Sequence, residues 1–472
     1  MSDDARLHHA QGHLMNQHFD AVVIGAGQAG PPLAERLGKA GRRVAVIERK
    51  LVGGTCVNTG CIPTKAMVAS AYVAHMSRRA HEYGVRRGDD GGVDMRWVWE
   101  RTQGISGKAR QGVEQWLHGM PNVTLLQGHA RFEAPHRLRL GDALIEAESF
   151  FVNVGGRASV PDFPGIDDVP YLTNTGMMAL SELPEHLIIV GGSYIGLEFG
   201  QMFRRFGSQV TIVERSPRFL PREDADVADA VLAMLRDEGI TVHLGAECIA
   251  LEGKAGAIRV KARGNQLCEK AVGSHLLLAV GRRPNTDDLG LEQAGVALDE
   301  RGYIQVDDHG RSSVPHIWAM GDCNGKGAFT HTSYNDFEIV ADAVLGQGRR
   351  RITDRIPVYS LFTDPPLARI GMSEEEARKA GRDVLVGTRP MTRVGRAVER
   401  GETVGFMKVV VDGASKKLLG AAIFGVNGDE AIHSLLDTMY AQAPYTTVAE
   451  AMHIHPTVAE LLPTVLQDLR AG

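Results

Sequence analysis

The apolar positions of this chain fall into blocks with two different periods. In FDAVVIGAGQAGPPLAERLGKAGRRVAVIER, residues 19 to 49, a short apolar run leads into a glycine-rich turn, a stretch of helical spacing and a second apolar run ending at Glu48. The turn reads G-x-G-x-x-G at Gly25, Gly27 and Gly30, and Pro31 and Pro32 fall in the first turn of the expected helix, where a missing N–H costs little. Strand, turn, helix and a second strand ending in an acid form a dinucleotide-binding unit. The glycines let the backbone approach a pyrophosphate, the helix N-terminus supplies partial positive charge, and the acid takes ribose hydroxyls. The same pattern returns in EHLIIVGGSYIGLEFGQMFRRFGSQVTIVER, where Gly191, Gly196, Gly207 and Glu214 stand 166 residues after Gly25, Gly30, Gly41 and Glu48. Ser193 replaces the middle glycine, which predicts a slightly wider backbone approach and leaves two readings open, a weakened working site or a structural relic. Two sites imply two dinucleotides, and an enzyme holding FAD and a nicotinamide cofactor can pass a hydride from one ring to the other.

At 472 residues, 43% of them hydrophobic, the chain exceeds what one core organises and predicts several domains. A formal net charge of -5, with lysine and arginine spread along the chain, leaves no basic stripe for a phosphate backbone, so no nucleic-acid partner is expected. No apolar run approaches the ~18 residues of a membrane helix, and the N-terminus lacks the apolar centre of a secretory signal. The expectation is a cytoplasmic protein with no membrane segment. Residues 1 to 18 are polar and carry His8, His9, His13 and His18; a solvated, flexible leader is the favoured reading over metal binding, with Met15 an alternative start.

Five cysteines in a chain of this size make no secreted disulfide framework, yet Cys56 and Cys61 lie five positions apart in GGTCVNTGCIPTK, directly after the first dinucleotide unit. A disulfide needs Cα atoms ~4.4 to 6.8 Å apart, whereas positions i and i+5 of a regular helix are roughly 8.6 Å apart. The segment is therefore expected to be a distorted first turn of a helix, with Asn58, Thr59 and Gly60 allowing the distortion and IPTKAMVASAYVAHM continuing as helix. A helix N-terminus lowers a thiol's pKa and favours the thiolate that disulfide exchange uses. A redox pair beside the flavin is the favoured reading; a zinc site, for which no second ligand pair exists, and inert thiols are the alternatives. Cys248, Cys268 and Cys323 read as small buried or surface residues.

From about residue 19 to 470 the chain resembles the FAD-dependent pyridine nucleotide-disulfide oxidoreductases, the group of glutathione reductase, dihydrolipoamide dehydrogenase and mercuric reductase. The resemblance rests on VVIGAGQAG, GGTCVNTGCIPTKA, GGSYIGLEFG, VGRRPNT, IWAMGDC and HIHPTVAE, in that order. It implies an α/β fold with two Rossmann-like dinucleotide-binding domains and an α+β C-terminal dimerisation domain. The FAD-binding domain is expected at 19–157 and 284–350, interrupted by an NAD(P)-binding domain at 158–283, with the interface domain at 351–472. There GFMKVVV and KLLGAAIFG read as strands.

By that resemblance, Cys56 is the interchange thiol that attacks substrate, and Cys61 faces the flavin in a charge-transfer pair. Lys65 and Glu198 match an ion pair near the reactive flavin edge, or else are ordinary surface charges. Asp322 matches the acid that holds the ribityl and pyrophosphate region of FAD, and Gly54, Thr55, Gly155, Gly192, Gly281 and Arg282 fall in cofactor-binding motifs. Val154 replaces a threonine usual in the family at the crossing FVNVGGRASVPDFPG, which puts one local contact in doubt. Read from residues alone, His455 before Pro456 is a helix cap, with Glu460 able to meet the imidazole from the helix's first turn. The resemblance makes His455 a general acid/base for the exchanging thiol, oriented by Glu460 and reaching the flavin of the other subunit of a homodimer.

Glu214 favours NADH by repelling a 2'-phosphate, while Arg215, Arg218 and Arg222 offer NADPH a competing claim. The expected acceptor is a small disulfide, a soft metal ion or a reactive oxidant, because CIPTKAMV and FTHTSYNDFEIV are most like mercuric reductase and the bacterial reductases linked to reactive chlorine and copper. Yet the tail PTVLQDLRAG lacks the second cysteine pair of mercuric reductase, and the mercury-handling N-terminal domain is missing. The alternatives are a dihydrolipoamide dehydrogenase, favoured by His455 with Glu460, and a non-catalytic flavin and thiol redox sensor.

Overall fold

The computed structural model describes residues 16–86, 92–263 and 271–471. His8, His9, His13, Met15 and Cys268 lie outside the described residues. The chain divides into two compact units, one of Met1–Ala66, Glu100–Ser159 and Gly281–Arg355, the other of Met67–Trp99, Val160–Val280 and Ile356–Gly472.

The first unit is built on a mixed sheet. Strand Gln17–Ile24 lies between Val44–Glu48 and Ala143–Val152, parallel to both; Val123–Gln127 extends one side, and the antiparallel strands Arg137–Leu140 and Ala130–Ala134 extend the other. Ile317–Ala319 also pairs in parallel with Ala143–Val152. Continuous apolar runs suit such strands because both faces are covered. Alternate residues therefore serve two cores: Val22, Ile24, Ala45 and Ile47 pack on one side, and Ala21, Val23, Val44 and Val46 on the other. Helix Gly30–Lys39, with Pro31 and Pro32 in its first turn as expected, buries Leu33, Ala34 and Leu37 in the second of these cores, beside Phe337 and Val340 of helix Thr330–Leu345. The first strand begins at Gln17, not after His18. The pairing of Gln17 with Ile145 and of His18 with Glu146 takes the end of the expected leader into the sheet.

The second unit repeats the parallel theme. Strands Thr241–His243, Gln209–Val213, His186–Val190 and His275–Leu278 form one sheet in that order, and helix Tyr194–Phe206 follows His186–Val190. The unit also holds a six-stranded antiparallel sheet in which Phe406–Asp412 and Leu418–Phe424, the two strands read from the sequence, pair in its centre. Helices His433–Tyr440 and Leu462–Gln467 bury Leu435, Leu462 and Val465 against that sheet. No helix among the described residues is long and apolar enough to cross a membrane.

Candidate functional site

The two glycine turns are wired alike. Gly25 and Gly191 adopt φ of +106° and +112°, and a Cβ on either would stand 2.3 Å from Asn153 O or 2.4 Å from Ala279 O, so only glycine fits. A Cβ on Gly30 or Gly196 would fall 2.3 or 2.1 Å from the carbonyl of Gly25 or Gly191, which holds each helix start tight against its strand. Glu48 accepts N–H bonds from Ala26 at 2.9 Å and Lys50 at 2.8 Å, and Glu214 accepts them from Gly192 at 2.5 Å and Ser216 at 2.7 Å. Each acid is thus fixed at the mouth of its turn by a backbone donor to each oxygen. Ser193 is the N-cap of helix Tyr194–Phe206, extended at φ -104° and exposed, so its side chain costs no backbone strain. The residues at both turns fit a dinucleotide.

Arg218 is committed elsewhere: it donates to Glu223 O at 2.5 Å and to Glu375 at 3.0 Å. Arg215 and Arg222 are exposed.

Around the first turn, a Cβ on Gly54 would lie 2.8 Å from Gly27 Cα, so the cysteine loop rests on the glycine turn. Asp322 sits in the short helix Gly321–Asn324; burial pushes its carboxyl upward, and Arg282, 3.5 Å away, opposes that shift. Arg282 also donates to Gly156 O, within the antiparallel pairing of Arg282–Pro284 with Gly156–Ala158 that Gly155 and Gly281 precede. Val154 O accepts Asn285 Nδ2 at 2.9 Å. Cys323 is fully buried, donates to Met320 O and is pushed up to about 12 by burial, as befits an inert thiol. Cys248 is exposed.

The cysteine segment is two helices, not one distorted turn. Cys56 lies within the one-turn helix Gly54–Asn58, the chain breaks at Thr59 (φ -144°) and Gly60, and Cys61 opens helix Cys61–Arg79. Asn58 pins the break by donating to Val52 O and Gly54 O, both at 2.9 Å. Cys56 and Cys61 are free thiols joined by a hydrogen bond. That bond, the Thr330 hydroxyl 3.1 Å from Cys61 Sγ and the charge of Lys65 hold Cys61 down to about 6. The same hydrogen bond, burial and the charge on Cys61 push Cys56 upward. Of the two, Cys61 is the one held toward the thiolate and Cys56 the one held toward the thiol.

Thr330, absent from the sequence reading, is the first residue of helix Thr330–Leu345, 269 positions from Cys61. The only sequence signal for it is a threonine at the start of a helical pattern. Replacing it with valine removes a donor to the thiolate, so the pKa of Cys61 is expected to rise. In the native enzyme the thiolate persists above about 6 and is lost as pH falls through that value. The pH profile of iodoacetamide alkylation of the reduced Thr330→Val protein should shift upward; an unchanged profile would remove Thr330 from the site.

Lys65 follows Cys61 by one turn of its helix in the first unit. Glu198 lies in the second unit, 4% exposed, and accepts Phe362 N–H at 3.0 Å, which makes it no ordinary surface charge. His455 is 81% exposed, with Nδ1 2.9 and 3.1 Å from the two oxygens of Glu460. Pro456 does not open a helix: it follows a cis peptide in a turn, Thr457 closes that turn onto Ile454 O, and the α-helix begins at Leu462. With Nδ1 occupied by Glu460, Nε2 is the ring nitrogen left for a reacting group.

Two nucleotide turns of common design and a cysteine pair beside the first define a flavoprotein disulfide reductase. Residues 19–337 match the pyridine nucleotide-disulphide oxidoreductase family and residues 358–466 its dimerisation domain, and the chain belongs to that family of enzymes, whose cofactors are FAD and NAD(P)H. It is 40% identical over 452 residues to the probable pyridine nucleotide-disulfide oxidoreductase RclA of Escherichia coli strain K12, covering 94% of this chain and 98% of RclA. A solved structure described as the Cu(II) complex of HOCl-induced flavoprotein disulfide reductase RclA from Escherichia coli superposes with a TM-score of 0.88 at 38% identity, over 96% of this chain and 99% of that one. Dihydrolipoyl dehydrogenase of Thermus scotoductus is 34% identical over 96% of this chain and 97% of its own length. Mercuric reductase of Staphylococcus aureus is 31% identical over 92% and 81%.

Proposed function

We propose that the enzyme carries electrons from NADH through FAD to the Cys56 and Cys61 pair and on to a small disulfide, a soft metal ion or a reactive oxidant. The observation that supports this most is the hydrogen-bonded pair of free thiols in the loop that rests on the first glycine turn, with Cys61 Sγ 3.1 Å from the Thr330 hydroxyl. FAD, when bound, accepts a hydride from the nicotinamide and delivers an electron pair to the disulfide. In this reading Gly25, Gly27, Gly30, Glu48, Gly54, Thr55, Gly155 and Asp322 hold FAD, and Gly191, Gly192, Gly196, Glu214 and Gly281 hold the nicotinamide nucleotide. Arg282, through its contact with Asp322, steadies that acid. Lys65 and Glu198 each take, in this reading, a charged role toward the flavin. Fixed by two backbone donors, Glu214 favours NADH, and Arg215 with Arg222 leaves NADPH a slower alternative.

Residues 351–472 serve as the interface domain of a cytoplasmic homodimer, in which His455 of each subunit works on the thiol pair of the other. The exposed apolar side chains flanking that histidine, Met452 at 99% and Ile454 at 80%, support a covered surface there. A dihydrolipoamide dehydrogenase is the second reading, favoured by the paired His455 and Glu460. The relative's Cu(II) complex speaks for the metal-ion reading. Anaerobic consumption of NADH and NADPH by the FAD-loaded enzyme, with oxidised lipoamide, Cu(II) or Hg(II) as acceptor, separates them. Faster turnover with a metal ion, and with NADH over NADPH, is expected; turnover with lipoamide alone would overturn the first reading in favour of the second.

A further inference from the structure

We propose that Asp336 is a positioning residue for FAD, holding the Gly321–Gly325 turn in the one arrangement that presents Asp322 to the cofactor. The inference rests on the reading of Asp322 as the acid that meets the ribityl and pyrophosphate region.

The turn is not rigid by its own sequence. It contains two glycines in left-handed conformation, Gly321 at φ +71° and Gly325 at φ +70°, positions where glycine restrains the chain least. An external anchor holds it instead. Asp336, in the second turn of helix Thr330–Leu345 and 3% exposed, accepts Gly321 N–H at 2.7 Å and Asn324 Nδ2 at 2.8 Å through one oxygen, while its other oxygen meets Arg355. Arg355 is itself fixed by Asn335 Oδ1 at 2.7 Å. The two ties grip both ends of the short helix Gly321–Asn324, and between them Cys323 turns into the core to donate to Met320 O. Its neighbour Asp322 is thereby set beside Arg282, 3.5 Å away.

The anchor reaches further. A Cβ on Gly321 would stand 3.1 Å from Ser333 Oγ and 3.3 Å from Asn153 Oδ1, and Asn153 Nδ2 donates to Gly25 O at 3.1 Å. The helix that begins at Thr330, the turn of Asp322 and the first glycine turn thus share one packed contact, with Asp336 at its buried end. Burial pushes the carboxyl of Asp336 upward and Arg355 opposes that shift. A carboxylate accepts only, which suits three converging donors; an amide in its place sets a donor against one of them.

The test is release of FAD from the diluted holoenzyme, followed by free-flavin fluorescence well below the unfolding midpoint. Asp336→Asn is expected to raise the FAD dissociation constant roughly tenfold or more, since it weakens hydrogen bonds to a buried charged group. Asn324→Ala, which leaves the contact with Arg355 in place and guards against a misfolded Asp336 variant, is expected to shift it in the same direction by less. Asp322→Asn serves as the reference. If Asp322→Asn loosens FAD while both other variants release it as the native enzyme does, Asp336 has only a structural role and the inference is overturned. If Asp322→Asn itself leaves FAD binding unchanged, the reading of Asp322 fails and the inference falls with it.

Discussion

Replacing Cys56 with serine is expected to stop acceptor reduction while NADH still bleaches the bound flavin. In the proposed cycle, reduction of a disulfide acceptor begins when the Cys56 sulfur, as thiolate, attacks one acceptor sulfur, forming a mixed disulfide and releasing the first thiol. Cys61 thiolate then attacks the Cys56 sulfur, releases the second thiol and leaves the pair oxidised, so that two electrons have passed from the pair to the acceptor. A serine hydroxyl cannot enter the mixed disulfide, and steady-state turnover should fall on the order of 10³-fold or more, as when an enzyme loses its nucleophile. The residues proposed to hold the nicotinamide nucleotide, Gly191, Gly192, Gly196, Glu214 and Gly281, are untouched by this change. Stopped-flow absorbance of the flavin on mixing with NADH should keep its native rate within a few-fold; equal loss of both half-reactions would show that Cys56 supports the cofactor and not the acceptor.

Replacing His455 with alanine carries the second largest expected effect, and its reason lies in Cys56. The hydrogen bond to Cys61, burial and the neighbouring charge push Cys56 toward its protonated form, so in the proposed cycle its attack calls on a base. In the proposed cycle His455 Nε2 takes that proton and returns it to the leaving thiol, with Glu460 holding Nδ1 at 2.9 Å. Loss of a general acid/base costs about 10²- to 10⁴-fold. Turnover with a disulfide should drop by that amount. Turnover with Cu(II) or Hg(II) should fall far less, since a soft metal ion binds thiolate sulfur directly and has no leaving thiol to protonate. A variant that keeps native disulfide turnover would remove His455 from the chemistry.

What the sequence revealed follows from how local each constraint is. The glycine turns were legible because steric exclusion allows no other residue at Gly25 and Gly191, and because Glu48 and Glu214 stand at fixed distances from them in the chain. The strands flanking each glycine turn, Gln17–Ile24 with Val44–Glu48 and His186–Val190 with Gln209–Val213, were legible as short apolar runs. The pairing of Cys56 with Cys61 was legible from spacing, but the break at Thr59 and Gly60 was not, since a short helix followed by a long one satisfies the same residues. Pro456 looked like a helix start and instead closes a turn, because the contact of His455 with Glu460 needs only the loop around Thr457. Thr330 and Asp336 were invisible: each acts on a group distant in the chain or through a carboxylate that resembles any other helical acid until its donors are known. The arginines after Glu214 looked equivalent, yet only the fold shows Arg218 tied to Glu223 and Glu375.

The central claim is that the Cys56 and Cys61 pair stores electrons taken from the nicotinamide. Anaerobic titration of the oxidised, FAD-loaded enzyme with NADH, counting the equivalents consumed before free NADH absorbance appears, tests it most directly. About two equivalents per subunit are predicted, one for the flavin and one for the disulfide, with the second equivalent missing in Cys56→Ser. Consumption of about one equivalent by both proteins would contradict the account, because the thiol pair would then lie outside the path of the electrons.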